Sequence, residues 1–379
     1  MDSDSENDAR AVDFLQSSDD DEQPQHYIQL LMSIGKRRIR QLRRNSALTG
    51  PEYVLEQLHG YPKNLFEMCR MHQDTFEAIV QLIRGCNLLP SSSISAEDSL
   101  MMFLRTVAHS DRNREIQDRF CHSGETVHRH FDNMLTALSA LAPQVIKLPN
   151  MNIVPPEIQH NPKYWPWFKD CIGAIDGTHM MVVPPAHQQT VYRGRRHSCT
   201  QNVMAACSFD MLFTYVNIGW EGSTADSRVL TKIIRNPDDP FVAPLPPKYY
   251  VVDSGYNNTQ GFLAPFVVRE RCFGVLKARF KILRHMTNYW MPRQNVIPIA
   301  CCVVHNLIKM HARDDPLFRQ YEVDLPVEDI EGEQEGQQEQ QHGMDAQEAE
   351  TFEMSGRQQR NYMVNLRDHL ANQMWDLYK

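Results

Sequence analysis

The chain has 379 residues, 42% of them hydrophobic, and its 39 Lys and Arg against 47 Asp and Glu leave a formal net charge of -8. That is enough apolar material for one large or two ordinary cored domains with tails. No apolar run reaches the ~20 residues of a membrane span, and the acidic N-terminus is not a secretory leader, so a soluble intracellular chain is expected. The nine Cys form no C-x-x-C pair, which excludes zinc-ribbon and thioredoxin readings and suits a reducing compartment.

Residues 1–50 read as a tail. Its first half is acidic (Ser17 to Glu22) and its second carries the basic run Lys36 to Arg44. Low hydrophobicity predicts disorder for the acidic part. The basic run fits nuclear import or phosphate contact, or a solvated linker.

Residues 51–145 are expected to form a helical domain. Asp74 and Glu77 are spaced as a capping box before Phe76, Ile79, Val80 and Ile83, with Gly85 closing that helix. Ser95 and Asp98 start a second helix through Leu100, Phe103 and Val107. Arg112–Phe120 is a short polar helix with Ile116 and Phe120 turned inward. After the turn at His122-Ser123-Gly124, a third stripe runs through Val127, Phe131, Met134, Leu135, Leu138 and Leu141. Its outer face would carry Glu125, Thr126, His128, Arg129 and His130. Helix, Gly-containing turn, helix fits a helix-turn-helix, and an ordinary helical hairpin fits the same spacing.

Residues 146–170, rich in Pro, Asn and aromatics, read as a linker. Cys171 to Val183 reads as an apolar strand interrupted by Asp176. A carboxylate there is costly unless paired or holding a cation. Asp176-Gly177 also suits a hairpin turn, and turn and metal ligand both stay open. The loop from Tyr192 to His197 offers Arg193, Arg195 and Arg196, either as phosphate contacts beside a carboxylate site or as a solvated loop.

A hairpin is expected from Val203–Cys207 and Leu212–Gly219. Asp226 opens the next helix, where it also complements the helix dipole. Tyr249–Val252 is a strand ending at Asp253, and strand C-termini are where α/β sites lie. Glu270 opens a charged helix, and Val296–Ile308 is an apolar helix in which His305 is expected to be a core residue. Residues 316–355 read as a disordered acidic, Gln-rich spacer. Helical periodicity returns over 356–379, suiting a helix that docks on a partner or on the chain's own body.

Strand with Asp176, hairpin, helix with Asp226, strand ending at Asp253 and helix with Glu270 make the plan of an α/β, RNase H-like nuclease core. The stretches GAIDGTH, QNVMAACSFDMLFTYV, GWEGSTADSRVL, VVDSGY, GFLAPF, ERCFGVLKARF and IACCVVHNLI occur in order. Together they resemble the nuclease domain, here residues 171–315, of PIF/Harbinger-type DDE transposases and their HARBI-like plant relatives. The upstream FLRTVAHSDRNREIQDRFCHSGETVHRHF is similar to the helical region before that domain.

The resemblance implies a divalent-metal-dependent endonuclease of the nucleus acting on DNA. Asp176, Asp253 and Glu270 would be catalytic carboxylates, Asp226 a further metal-site residue, and Mg2+ or Mn2+ the cofactor. Arg193, Arg195, Arg196 and Arg129 would contact DNA. A Myb-like DNA-binding protein or chromatin-complex subunits would be partners. Two positions depart from the family pattern. Ala225 stands where relatives commonly have His before the Asp, and Asp253 and Glu270 are only 17 residues apart, a shorter interval than the family's. The alternative is a catalytically inactive relative serving as a nuclear chromatin-complex adapter or DNA-binding protein.

Overall fold

Ser95 and Ser123 start two helices through the hydrogen bonds their spacing predicts. The Ser95 hydroxyl accepts from the Asp98 amide at 3.0 Å and the Ser123 hydroxyl from the Thr126 amide at 3.0 Å. In the computed structural model the described residues are 46–194, 197–253, 256, 258–264, 271–312, 314–322 and 360–374. The chain divides into two units, Met1–Ala47 and Leu48–Lys379, and of the first only Ser46 and Ala47 are described. The acidic tail, the basic run at 36–44, Arg195, Arg196, Glu270 and residues 323–355 of the expected spacer lie outside the described residues, whereas the spacer's first residues, Pro316–Glu322, are helical and not disordered, with Phe318 buried in the core.

The second unit begins with six helices: α1 (Gly50–His59), α2 (Pro62–Cys69), α3 (Gln73–Gly85), α4 (Ala96–His109), α5 (Asn113–Phe120) and α6 (Gly124–Ala140). Helix α4 is buried along most of its length, from Asp98 through Leu104 and again at Thr106–Ala108. It packs against α6, which shows the expected stripe of Val127, Phe131, Met134, Leu135 and Leu138.

Two expectations about these helices are corrected. Helix α3 starts after His72 with no side-chain cap, so Asp74 lies inside the first turn, where its charge complements the dipole, and Gly85 is its last residue. His130 is buried, not outward. It belongs to the i, i+3, i+4, i+7 stripe with Val127, Phe131 and Met134, and its Nδ1 lies 2.8 Å from the Ser99 hydroxyl on α4.

After two short helical turns, Ala142–Val145 and Pro156–Gln159, the chain enters the sheet. Its strands are β1 (Cys171–Met181), β2 (Thr200–Cys207), β3 (Phe213–Glu221), β4 (Tyr249–Val252) and β5 (Phe262–Leu263), in the order β3-β2-β1-β4-β5. β1 pairs antiparallel with β2 and parallel with β4. Asp176-Gly177 is not a turn, because β1 runs unbroken through both residues. Helix α7 (Asp226–Arg235) follows β3, and α8 (Arg271–Arg279), α9 (Met291–His311) and α10 (Pro316–Glu322) follow β5.

Both faces of the sheet are covered, and β2 is accordingly buried at every residue. One face joins Ile175, Met204 and Val252 to Val229, Leu230 and Ile233 of α7. The other joins Val203, Ala205 and Phe213 to Cys272, Val275 and Val304 of α8 and α9, and on to Phe103 and Phe131 of the helical part. The Pro-rich stretch at 146–170 therefore does not separate two cores.

Polar clamps set the lie of α9. The Gln294 side chain bonds both backbone groups of Val183, and the Asn306 side chain bonds both of Phe213. His305 is wholly buried as expected, its Nε2 2.9 Å from the Met211 carbonyl. The helix at 360–374 docks on the chain's own body, where Met363 and Leu370 join Cys171, Tyr249 and Leu263.

Candidate active site

The parallel pairing of β1 with β4 decides where two carboxylates meet. Ile175 is in register with Val252, so the next residue on each strand is an aspartate, Asp176 and Asp253. Side chains alternate along a strand, and neighbouring strands are ~4.8 Å apart. The register brings the two residues level with each other, Asp253 one residue past the end of β4, and continued alternation would turn both carboxylates to the face opposite the buried Ile175 and Val252. Both aspartates are part-buried, and one Asp176 oxygen, Oδ2, is shut off from solvent.

The start of α8 packs against the β2–β3 turn, where the Cys272 thiol donates to the Met211 carbonyl at 3.4 Å. Cys272 is buried, and Asp176 is among the charges that act on it. Burial, then its hydrogen bond with Cys207 and the charges of Cys207, Cys302 and Asp176, hold its thiol well above the ordinary value. Glu270 precedes this helix by one residue and is outside the described residues.

Asp226 is placed differently. Its Oδ1 accepts from the Asn202 amide nitrogen at 2.5 Å. Its carboxylate fills the space a Cβ at Gly177 would occupy. Gly177 follows Asp176, so its α-hydrogen side is the opposite face of β1. The structure therefore brings Asp226 within one residue of Asp176 along β1, but against the other face. Among the described residues no group of three or more His, Cys, Asp or Glu is arranged to hold a metal ion.

The arginines are dispersed. Arg193 is exposed and pairs with Cys199 at the neck of its loop. Arg129 lies on α6, with Nε 3.5 Å from Glu125. Beside it on α6, His128 and Asp132 are bonded to Arg293 of α9, so part of the face expected to be free is occupied by the chain itself.

Asn202 was not singled out from the sequence, and Gly177 only as a turn residue. The available signal was Gln201-Asn202 at the head of an apolar strand. Both are buried, and such polar groups are retained only with partners.

Three family models match the chain. Residues 175–269 match the DDE superfamily endonuclease, residues 267–315 the plant transposon protein family, and residues 45–140 a domain of unknown function. The first two matches support a transposase-derived family with a DDE endonuclease domain. They meet at 267–269, directly before Glu270. Neither curated proteins nor solved structures gave a match. No helix among the described residues is long and apolar enough to cross a membrane.

Proposed function

We propose that this chain is a divalent-metal-dependent DNA endonuclease of PIF/Harbinger transposase descent, built on an RNase H-like core and working in the nucleus. The observation that carries the reading is the Ile175–Val252 register, since Asp176 and Asp253 are the next residues after that pair on neighbouring parallel segments. The β3-β2-β1-β4-β5 order agrees with an RNase H-like sheet. Helix α8, which Glu270 directly precedes, packs against the β2–β3 hairpin through Cys272 and Met211, and this supports the reading.

The residues suit a hard cation. Two adjacent carboxylates, one with a solvent-shielded oxygen, are oxygen donors of the kind Mg2+ and Mn2+ take, usually with water and phosphate completing the shell. Asp176 and Asp253 would hold the ion, with Glu270 as third carboxylate. Bound there, the metal would activate the attacking oxygen and neutralise charge on the phosphodiester. Asp176, fixed in the middle of an unbroken strand, supplies the rigid reference point. Asp226 supports that strand from behind through Gly177 and Asn202. Arg193, Arg195, Arg196 and Arg129 would steer the phosphate backbone, and α5–α6 is a candidate helix-turn-helix.

A second reading, an inactive adapter of a chromatin complex or a DNA-binding protein, draws on two observations. The Asp226 carboxylate lies against Gly177, on the face of β1 opposite the Asp176 side chain, and β5 has only two residues in the short interval before Glu270. Incubation of supercoiled DNA with the protein and Mn2+ separates the two. The endonuclease nicks DNA, and Asp176→Asn and Asp253→Asn each reduce nicking to background. Absence of nicking by the wild-type chain, or nicking unchanged in both variants, favours the adapter.

A further inference from the structure

The segment from 271 to 312 contains seven Lys and Arg and no Asp or Glu, in a chain of net charge -8. Its stretch between α8 and α9 is held firmly from beneath. Ile282, Leu283 and Met286 are buried, the Tyr289 ring stacks on Phe131 at 5.3 Å, and the Ser110 hydroxyl donates to the His285 carbonyl at 2.6 Å. The intervening side chains Lys281, Arg284, His285 and Asn288 are exposed, and Trp290 is 76% exposed. Among the described residues neither Lys281 nor Arg284 is ion-paired. A large ring left in water on a fixed backbone, with free cations a few residues away, is the composition of a surface that stacks bases and follows a phosphate chain.

Its place in the fold suits a strand leading to the carboxylates. The Trp290 carbonyl accepts from the Gln294 amide at 3.2 Å, and the Gln294 side chain accepts from the Val183 amide at 2.8 Å. Val183 lies seven residues beyond Asp176, about 23 Å of extended chain. Trp290 is thus about seven nucleotides from Asp176, at ~3.4 Å per phosphate along one strand.

We propose that Lys281, Arg284 and Trp290 form a second DNA-contact surface, in which the Trp290 ring stacks on an unpaired base while the two cations meet flanking phosphates. The inference rests on the endonuclease reading for its choice of DNA, but its test needs no cleavage. The full-length protein in EDTA is titrated into fluorescein-labelled DNA, either a blunt duplex or the same duplex with a single-stranded overhang.

Trp290→Ala weakens overhang binding by about 5- to 100-fold, the span seen for loss of one stacking aromatic. It leaves blunt-duplex binding little changed, and Trp290→Phe retains most of the affinity. The pair Lys281→Ala and Arg284→Ala lowers the slope of log affinity against log salt by about 0.7–0.9 for each phosphate that is no longer neutralised. All these side chains are exposed, and thermal melting checks that the variants fold. Overhang binding equal to wild type in Trp290→Ala, equal losses on both DNAs, or no DNA binding by the wild-type protein would overturn the proposal. The last two results would point to another occupant, such as an acidic segment of this chain. Failure of the nuclease reading looks different: DNA stays bound and uncut when Mn2+ is added.

Discussion

At the scale of single residues, the site depends on groups that hold other groups. Asn202 is buried, and its amide bridges the Asp226 carboxylate and the Thr224 carbonyl. Asn202→Ala removes a hydrogen bond to a charged acceptor, so a loss of about 1.5–3 kcal/mol is expected in urea unfolding. A change below about 0.5 kcal/mol would mean that the Asp226 contact carries no weight. Gly177→Ala forces the Asp226 carboxylate or the strand to move, and the same measurement should show it destabilised.

His305 gives a pH signature. Burial first, then the nearby charges of Arg279 and Lys309, lower its pKa to about 3, against the opposing hydrogen bond to Met211. The folded chain keeps this imidazole neutral while the unfolded chain protonates it below about 6.5. Its contribution is therefore complete above pH 6.5 and is lost as pH falls towards 3, at up to about 1.4 kcal/mol per pH unit. Unfolding midpoints measured between pH 7 and 5 should fall, and less steeply in His305→Asn.

At the scale of elements, α8 is fixed at its far end by an ion pair shut off from water. Arg279 and Asp315 are both 0% exposed and 2.6 Å apart, and the Arg279 guanidinium also reaches the Arg70 carbonyl and the Phe318 ring. That knot ties α8 to α10 and to the turn after α2. Removing one partner leaves a buried charge alone, so Asp315→Ala should cost about 3–5 kcal/mol in chemical denaturation. Arg279→Met with Asp315→Leu should recover much of that loss, because isosteric apolar pairs replace buried ion pairs at little cost. A double variant no better than Asp315→Ala would assign the loss to packing.

Elements were also what the sequence showed best. Alternation and turn residues placed β2, β3 and β4, and the Ser95 and Ser123 caps placed α4 and α6, because those signals are local. His130 was misplaced because α6 is buried on a wider stripe than an isolated hairpin would need. The opposite orientation of Asp226 was not legible either. It follows from which face of β1 meets α7, a long-range fact that no spacing along the chain encodes.

At the scale of the whole molecule, helices and sheet share one core from Leu48 onward. The order of motifs suggested the sheet, whereas the Pro-rich stretch suggested a boundary that the packing does not have. The account's central claim is that this fold brings Asp176 and Asp253 together as a cation site. Calorimetric titration of Mn2+ into the wild-type protein and into Asp176→Asn tests it most directly. The account predicts saturable binding by the wild type that is abolished in Asp176→Asn while its melting transition persists. No binding by a folded wild-type protein, or equal binding by the variant, would contradict it.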